Sequence, residues 1–287
     1  MDASMANTLG TMALADVSLP GGMVVSCLQK HEVPIVNREV QGYFAKHLEL
    51  RPGDTVFDVG ANIGLFSLAV YERCDQDVRL YAFEPVKAIF DVLRANVARH
   101  GIGDQLRIFE FGLSSHSEDT TFAYYPDAPN LSTAYPLDAD DVAIVQEAVL
   151  QNIMHLAEAP LALRCLRWVP SALRAPIVHY ALGRALRPDR VVCRMRTLSQ
   201  FVGDHAIERI DLLKIDAEKA ELEIFRGIRA ADWPKIQQVV VEVHDLDDRL
   251  DFIMALLREH GLTEIIVDQP PTLTNSNIHN VFSTRRR

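Results

Sequence analysis

The chain has 287 residues, 48% of them hydrophobic, a size that allows one large core with an insertion. Its formal net charge of -10 would repel a polyphosphate backbone, which argues against nucleic acid as a partner. The cysteines are far apart and form no C-x-x-C pair, so no zinc site or disulfide framework is indicated and a reducing cytoplasmic setting is expected. No stretch is typical of a signal peptide or a membrane span.

Residues 1–36 show no clear periodicity and are expected to form an N-terminal arm or a cover over the site. The main domain is predicted to span residues 37–287 and to begin with a helix from Asn37 to Leu48. Short β-rich runs then alternate with helical runs, which is typical of βαβ units and a parallel sheet. The predicted strands are Thr55–Val59, Leu80–Phe83, Leu106–Phe111, Leu212–Ile215, Val239–Val243, Glu264–Val267 and Asn280–Thr284.

Two departures from this alternation are expected. Too few residues separate the last two strands for a helical crossover, so these strands should pair antiparallel. Between about residues 138 and 190 the strand pattern lapses, and a helical stretch indicates an inserted lid.

The run TVFDVGANIGLFSLAV predicts a ligand site where the first strand ends. The strand ends at Asp58, a turn contains Gly60, Asn62 and Gly64, and a helix starts near Leu65. At such a strand end, glycines let the backbone approach a ligand, and the first amides of the helix stay free to donate. The glycines alone are equally typical of an ordinary tight turn.

A second feature favours a nucleoside ligand. The run LYAFEP puts Glu84 at the tip of the next strand, where a carboxylate can accept hydrogen bonds from both ribose hydroxyls. A dinucleotide fingerprint has a second glycine where this chain has Asn62, so a pyrophosphate would fit badly. S-adenosylmethionine has no phosphate and carries a cationic sulfonium, which suits the acidic turn at Asp58. Gly112 and Ser114 are expected to form a wall for the adenine, although their turn needs no ligand to explain it.

With these motifs the sequence resembles the FkbM family of S-adenosylmethionine-dependent methyltransferases, from about Pro34 to the C-terminus. The family usually has Lys-Ile-Asp-x-Glu-Gly after the fourth strand, whereas Lys219 occupies the position of that glycine. Here the chain is more similar to O-methyltransferase domains of polyketide and nonribosomal-peptide assembly lines. The motifs that carry the resemblance are FDVGANIGLFS, YAFEP, RTLSQFV, IDLLKIDAEKAELEIFRGI and VVVEVHD.

The resemblance implies a class I methyltransferase fold, which is a Rossmann-like, doubly wound, mostly parallel sheet of seven strands with an antiparallel last strand. It implies S-adenosylmethionine as methyl donor and a hydroxyl of a small natural-product intermediate as acceptor. A sugar hydroxyl is the alternative acceptor, and an NAD-dependent oxidoreductase is the rival enzyme class. Carrier-bound and free acceptors both stay open.

Methylation of a hydroxyl requires a general base within hydrogen-bond reach of its proton. Glu242 and His244 are two residues apart on the fifth strand, so they project from the same face at its carboxyl end. We expect His244 to take the proton while Glu242 or Asp216 holds the imidazole. The simpler interpretation of His244 is a polar residue that finishes a strand.

Acidic residues after the fourth strand are expected to line the site. Asp216 should lie next to the methyl donor, and Glu218 is either a wall of the substrate site or a helix cap. Lys219 is expected to pair with Glu223 at i+4. Asp216, Glu218 and Glu242 could together hold a divalent ion, but their spacing does not demand one, so metal independence is expected.

The lid offers a candidate surface for a partner. Residues 161–188 contain five arginines and no acid, against the acidic trend of the chain. Arg174 and Arg184 are therefore candidates for meeting an acyl carrier protein or its phosphopantetheine arm, with a solvated lid face as the simpler interpretation. His279, at the start of the last strand, is a weaker candidate for contact with the acceptor.

Overall fold

The computed structural model describes residues 14–46, 48–152, 165–269 and 276–286. The strands are β1 (Ala15–Ser18), β2 (Val24–Cys27), β3 (Thr55–Val59), β4 (Arg79–Phe83), β5 (Leu106–Phe109), β6 (Gly112–Leu113), β7 (Thr120–Tyr124), β8 (Asp189–Cys193), β9 (Met195–Arg196), β10 (Leu212–Ile215), β11 (Gln238–His244), β12 (Glu264–Asp268) and β13 (Ile278–Thr284). The helices are α1 (Val33–Lys46), α2 (Leu65–Arg73), α3 (Lys87–Arg99), α4 (Ala139–Asn152), α5 (Ser171–Ala185), α6 (Leu198–Asp204), α7 (Glu221–Arg226) and α8 (Arg249–Glu259).

Seven strands form the central sheet, in the order β12-β13-β11-β10-β3-β4-β5. The strands from β11 to β5 in this order run parallel to one another. β13 runs antiparallel to both β11 and β12. The predicted mostly parallel sheet with an antiparallel last strand is therefore confirmed.

Helices cover both faces of the sheet. Val56 and Leu80 belong to a core that includes buried residues of α1, α2 and α3. Phe57 and Leu213 belong to a second core, which includes buried residues of α6, α7 and α8. Because side chains alternate along a strand, the neighbours Val56 and Phe57 enter different cores, and every residue of β3 and β10 is buried. The predicted doubly wound architecture is confirmed.

Several predicted boundaries differ from the structure by one to four residues, and two of the differences have a clear physical reason. α1 begins at Val33, four residues early, with Pro34 in the first turn, where the missing N–H of proline costs no hydrogen bond. β5 ends at Phe109, two residues early. The chain leaves the sheet there because Gly112 pairs with β9 instead, its N–H donating to Arg194 O at 2.9 Å.

The hairpin of β1 and β2 is tied to the main sheet by the buried Asn96 of α3. Asn96 Oδ1 accepts from Ser26 N at 2.7 Å, and Asn96 Nδ2 donates to Ser26 O at 3.0 Å and to Ile63 O at 2.9 Å. Ile63 lies in the turn after β3, so one side chain links the N-terminal region to the predicted ligand turn. This contact supports the proposal that residues before 37 cover the site.

In the described part of the insertion between the antiparallel strands β7 and β8, the α-helices are α4 and α5. Val178 of α5 and Leu166 form a small separate core, to which Val149 of α4 and Leu182 of α5 contribute. Residues 153–164, with the arginine at position 164, lie outside the described residues. None of the described helices has the length and apolar character to span a membrane.

Candidate active site

A pocket opens at the carboxyl ends of β3, β4, β10 and β11, the edge where open α/β sheets bind ligands. Residues of α1, of the 129–132 segment and of the first turns of α4 also contribute to its wall. Its polar lining includes Glu39, Tyr43, Asn62, Glu84, Asn130, Ser132, Asp141, Lys214, Asp216, Glu218, Lys219, Glu242, His244 and Asn277. The structure thus brings the predicted cofactor turn and the predicted catalytic residues to one cavity.

Backbone hydrogen bonds hold the turn after β3 against the end of β4. Gly60 N and Ala61 N both donate to Phe83 O, at 3.1 and 3.0 Å. Gly60 and Asn62 line the pocket as predicted, but Gly64 does not. Gly64 has φ 93, a left-handed conformation that favours glycine, and a Cβ there would lie 2.6 Å from Leu93 Cδ1, so the turn and its packing against α3 explain this glycine.

Glu84 is buried at the tip of β4 and lines the pocket. Its Oε1 accepts from Val86 N at 2.9 Å and its Oε2 from Asn62 N at 3.1 Å, which fixes the carboxylate beside the turn. Burial raises the pKa of Glu84 to about 7, although the two backbone donors act in the opposite direction. A preformed acceptor at this place suits a ribose diol.

Replacing Glu84 with glutamine is expected to weaken binding of S-adenosylhomocysteine. A hydrogen bond to a charged group contributes about 1.5–3 kcal/mol, so the dissociation constant should rise roughly 10- to 100-fold. Since ribose hydroxyls donate to the ionised form, wild-type affinity should also fall below pH 7, where Glu84 gains its proton. Isothermal calorimetry between pH 6 and 8 measures both effects. Glu72→Gln, at an exposed position on α2, is the control, and equal affinities for the two variants would contradict the assignment.

Asp58 is fully buried and is not among the residues that line the pocket, so its contact with the cofactor stays a prediction that this geometry does not favour. It accepts from Ser67 Oγ at 2.7 Å, and its Oδ1 lies 3.0 Å from Lys214 Nζ. Lys214 also donates to Gly60 O at 2.8 Å and lies 3.6 Å from Asp216 Oδ2. Burial alone would lower the pKa of Lys214, but the charges of Asp58 and Asp216 outweigh it and raise that pKa. Asp58 therefore acts on the site through a charged lysine.

His244 ends β11 and faces the pocket between two carboxylates. Its Nδ1 lies 2.9 Å from Glu221 Oε1, and its Nε2 lies 3.4 Å from Glu218 Oε2. Arg249 Nη1 donates to Glu221 Oε2 at 3.0 Å. The residues that hold the imidazole are thus Glu221 and Glu218, and the prediction of Glu242 or Asp216 is wrong. Burial would lower the pKa of His244, but its contacts with Glu218 and Glu221 raise it to about 11.

Three more carboxylates face the same cavity, from Glu39, Asp216 and Glu242. Burial, and then the charges of Asp216 and Glu218, raise the pKa of Glu39 to about 8. The same causes, burial first, raise the pKa of Glu242 well above its usual value. Carboxylate oxygens of Asp216, Glu218 and Glu242 lie within 4.8 Å of one another. This half of the pocket therefore suits a ligand with a positively charged centre.

Several predicted contacts lie elsewhere. Gly112 lines the pocket but Ser114 does not, because its carbonyl packs against Gly227, where a Cβ would lie 2.2 Å from it. His279 is opposite Val243 in the register and so projects from the face opposite to His244. Neither Arg174 nor Arg184 lines the pocket; Arg174 Nε donates to Val169 O at 2.8 Å within the lid. The lining residues near the start of β13 are Asn277 and Ile278.

Lys219 does not pair with Glu223 as predicted. Its Nζ forms an ion pair with Asp141 of α4, and both side chains are largely buried. Glu223 instead pairs with Arg226 and accepts from Ser115 Oγ. The reason is the backbone, since Lys219 has φ 75 and lies before α7, so i+4 helical geometry does not apply to it.

Glu39 and Glu221 are among the site residues that were not predicted. Glu221 belongs to the run AEKAE, in which acids at a helix start are typical of capping. Glu39 belongs to α1, which precedes every motif of the cofactor site. The signal for Glu39 was its spacing of four from Tyr43, since both line the pocket from one helix face.

The pocket suits S-adenosylmethionine better than a dinucleotide. Of its lining lysines, Lys214 is held by Asp58 and Gly60, and Lys219 by Asp141, so neither is free for a phosphate. The acidic residues that line the rest of the pocket suit the sulfonium and the ammonium of this cofactor, and Glu84 suits its ribose. Glu84 and the turn at Gly60 would hold the nucleoside, and Asp216 would lie toward the methionine part.

The sheet order and the pocket at its carboxyl edge define a class I methyltransferase fold. The family model described as Methyltransferase FkbM domain matches residues 58–163 and 171–262. The chain belongs to the FkbM family of S-adenosylmethionine-dependent methyltransferases.

Three relatives illustrate the range of this family. The 31-O-demethyl-FK506 methyltransferase FkbM of Streptomyces tacrolimicus is 33% identical over 270 residues, which cover 93% of this chain and 95% of that protein. The AMB antimetabolite synthetase AmbE of Pseudomonas aeruginosa is 35% identical over 279 residues, 94% of this chain but only 12% of the synthetase. Methyltransferase sdnD of Sordaria araneosa is 31% identical over 209 residues, 72% of each chain.

Proposed function

We propose that this protein transfers a methyl group from S-adenosylmethionine to a hydroxyl of a small natural-product intermediate, with His244 as general base and Glu221 as the residue that orients it. The observation that carries the proposal is the 2.9 Å contact between His244 Nδ1 and Glu221 Oε1, which orients the ring so that Nε2 meets Glu218 in the wall of the cavity. A base oriented through its other nitrogen is the arrangement that proton abstraction from a hydroxyl requires. The relative named as a 31-O-demethyl-FK506 methyltransferase supports an oxygen acceptor, and the match within an antimetabolite synthetase supports a natural-product acceptor.

The residues divide the work of an in-line displacement, in which oxygen, methyl carbon and sulfur must be nearly collinear and water excluded. When bound, S-adenosylmethionine supplies an electrophilic methyl group. Glu84 and the turn at Gly60 orient the nucleoside. The acceptor hydroxyl takes the place of Glu218 at His244 Nε2, which removes its proton, and Glu221 stabilises the imidazolium.

We also propose that the transfer needs no divalent ion. Asp216, Glu218 and Glu242 are close enough to share one, but two of them already have cationic partners, Lys214 at 3.6 Å and His244 at 3.4 Å. An ion would compete with both contacts. Turnover should therefore be unchanged by EDTA, whereas loss with EDTA and recovery with Mg²⁺ would overturn this part of the proposal.

The test of the proposed function is a mass-shift assay with S-adenosylmethionine and a panel of free hydroxy acids, carrier-bound hydroxyacyl groups and sugars. We expect one methyl added to oxygen on a member of the first two classes. Methylation restricted to sugar hydroxyls, or to nitrogen or carbon, would refute the acceptor. Calorimetry with S-adenosylhomocysteine and with NAD tests the cofactor separately.

Lys219 is expected to hold the lid over the acceptor. Its backbone has φ 75, the left-handed region that explains a glycine in the family pattern, and its side chain reaches Asp141 of the lid helix α4. Losing a charged contact of about 1.5–3 kcal/mol should raise the acceptor KM on the order of tenfold or more in both Lys219→Gly and Lys219→Ala. Affinity for S-adenosylhomocysteine should stay constant.

The two variants differ in a way that tests the backbone argument. Glycine relieves the left-handed backbone strain and alanine does not. The free energy of unfolding of Lys219→Gly should therefore be about 1 kcal/mol higher than that of Lys219→Ala. Urea unfolding measures this difference. Asp141→Asn should reproduce the KM effect, and an unchanged KM in all three variants would show that the ion pair of Lys219 with Asp141 does not hold the lid over the acceptor.

A further inference from the structure

The outer face of α5 exposes an apolar stripe. Leu173, Ile177 and Tyr180 are 54%, 42% and 69% exposed, and their spacing of four and three residues places them on one helix face. The opposite face carries Val178 and Leu182, which pack into the small lid core. A contiguous apolar face left to solvent on an otherwise amphipathic helix is typical of an interaction site.

Positively charged residues lie next to this stripe, at the C-terminal end of α5. Arg184 and Arg187 are exposed at the end of α5, and no acid occurs between positions 161 and 188 of a chain whose net charge is -10. Arg174 does not belong to this surface, because its guanidinium is turned toward Val169 O. A cationic margin beside an apolar strip on an acidic protein is complementary to an acidic partner with an apolar helix face.

The apolar stripe on α5 is linked to the pocket through α4. α5 packs on α4, and α4 contributes Asp141 and Val145 to the wall of the pocket. A partner on the outer face of α5 would therefore dock on a helix that packs against the wall of the acceptor cavity. A flexible arm that carries the acceptor suits this arrangement.

We propose that the outer face of α5 docks an acidic, helical carrier protein that delivers the acceptor covalently. Leu173, Ile177 and Tyr180 contact the apolar helix face of the carrier, and Arg184 and Arg187 face its acids. This inference rests on the proposed function, since it specifies how the hydroxyl substrate is presented. The apolar residues supply most of the binding affinity. The arginines increase the association rate and make it depend on salt concentration.

The test measures binding without any acceptor. The probe is an acidic acyl carrier protein with an empty phosphopantetheine arm, titrated against the full chain by biolayer interferometry. Ile177→Glu with Tyr180→Glu, and separately Arg184→Glu with Arg187→Glu, should each weaken binding at least about tenfold. Wild-type affinity should fall as salt rises. Phe252→Glu and Arg258→Glu, on the exposed side of α8, are the matched controls and should bind as wild type.

The outcomes separate this inference from the proposed function. Equal affinities for docking and control variants, or no carrier binding at all, overturn docking even if free hydroxy acids are methylated. A sedimentation experiment that finds a dimer broken by the Ile177 and Tyr180 substitutions assigns the stripe to a second copy of this chain, and this also overturns the proposal. If no hydroxyl is methylated yet the carrier binds at α5, the proposed function fails and the docking surface stands.

Discussion

His244→Gln is expected to lower kcat by about 10²- to 10⁴-fold, the usual contribution of a general base, while S-adenosylhomocysteine still binds with unchanged affinity. Glutamine approximates the size of the ring but cannot accept the proton of the acceptor. His244 touches the acceptor half of the pocket, whereas the nucleoside half depends on Glu84 and the turn at Gly60. Single-turnover methylation and calorimetry together measure the two effects.

The pH dependence separates a base from a structural histidine. His244 faces Glu218 and Glu221, with Arg249 behind Glu221 and Glu242 on the same strand face, and its pKa is raised to about 11. The ring is therefore charged at neutral pH, and its basic form grows tenfold per pH unit. We expect kcat/KM to rise with pH at unit slope from about pH 7 toward pH 10.

Glu218→Gln is the control for this profile. It removes the anion at Nε2 while leaving the 2.9 Å contact of Nδ1 with Glu221, so the pKa of His244 should fall and the rise of kcat/KM should move to lower pH. Glu221→Gln should instead lower kcat, because it loses the orienting partner. A wild-type profile that is flat between pH 7 and 10, or one that Glu218→Gln does not move, rules out His244 as the base.

The sheet was predictable because its strands are short apolar runs that alternate with amphipathic helices. The runs Thr55–Val59 and Leu212–Ile215 match their strands without error, since charged or turn residues stop the apolar pattern at both ends. The end of β5 was not predictable from hydrophobicity. Phe109, Glu110 and Phe111 continue the strand-like alternation of apolar and charged residues, and only the tertiary pairing of Gly112 with Met195 takes the chain out of the sheet.

The two halves of the site differ in how far sequence could predict them. The cofactor half depends on the strand–turn–helix unit of β3 and α2 and on the tip of the next strand, β4, so Gly60, Asn62 and Glu84 could be found from local motifs. The acceptor half is built from side chains of separate elements. Whether His244 meets Glu242 or Glu221 depends on the path of the chain after β10, which no local pattern fixes.

Asp58 shows where more could have been inferred. It is directly opposite Lys214 in the parallel register of β3 and β10, so a buried ion pair follows once the two strands are neighbours. When the cross-strand neighbour of an aspartate at a strand end is unknown, the sequence alone predicts that the aspartate contacts a ligand. The same charge then acts indirectly, by holding an ammonium against Gly60 O and near Asp216.

Gly60→Ala is expected to abolish cofactor binding, with at least a hundredfold loss of affinity for S-adenosylhomocysteine as an order-of-magnitude estimate. An added Cβ would lie 1.8 Å from Asp216 O and 2.9 Å from Asp216 C, and the backbone there has φ 73. Since both contacts are to backbone, no rotamer change relieves them. The end of β10 must shift, and with it Lys214 and Asp216, so the nucleoside and methionine ends of the pocket lose their alignment together.

Gly53→Ala isolates the clash from the backbone strain. Gly53 has φ 87, but nothing lies within 4 Å of an added Cβ, so this control carries the left-handed strain without the collision. It should lose about 1–2 kcal/mol of unfolding free energy and bind S-adenosylhomocysteine as the wild type does. Gly60→Ala should lose more stability, and the ligand should no longer raise its melting temperature. Because the pocket edge of β3 is built on the contact between Gly60 and the end of β10, wild-type affinity in Gly60→Ala would mean that the nucleoside binds elsewhere.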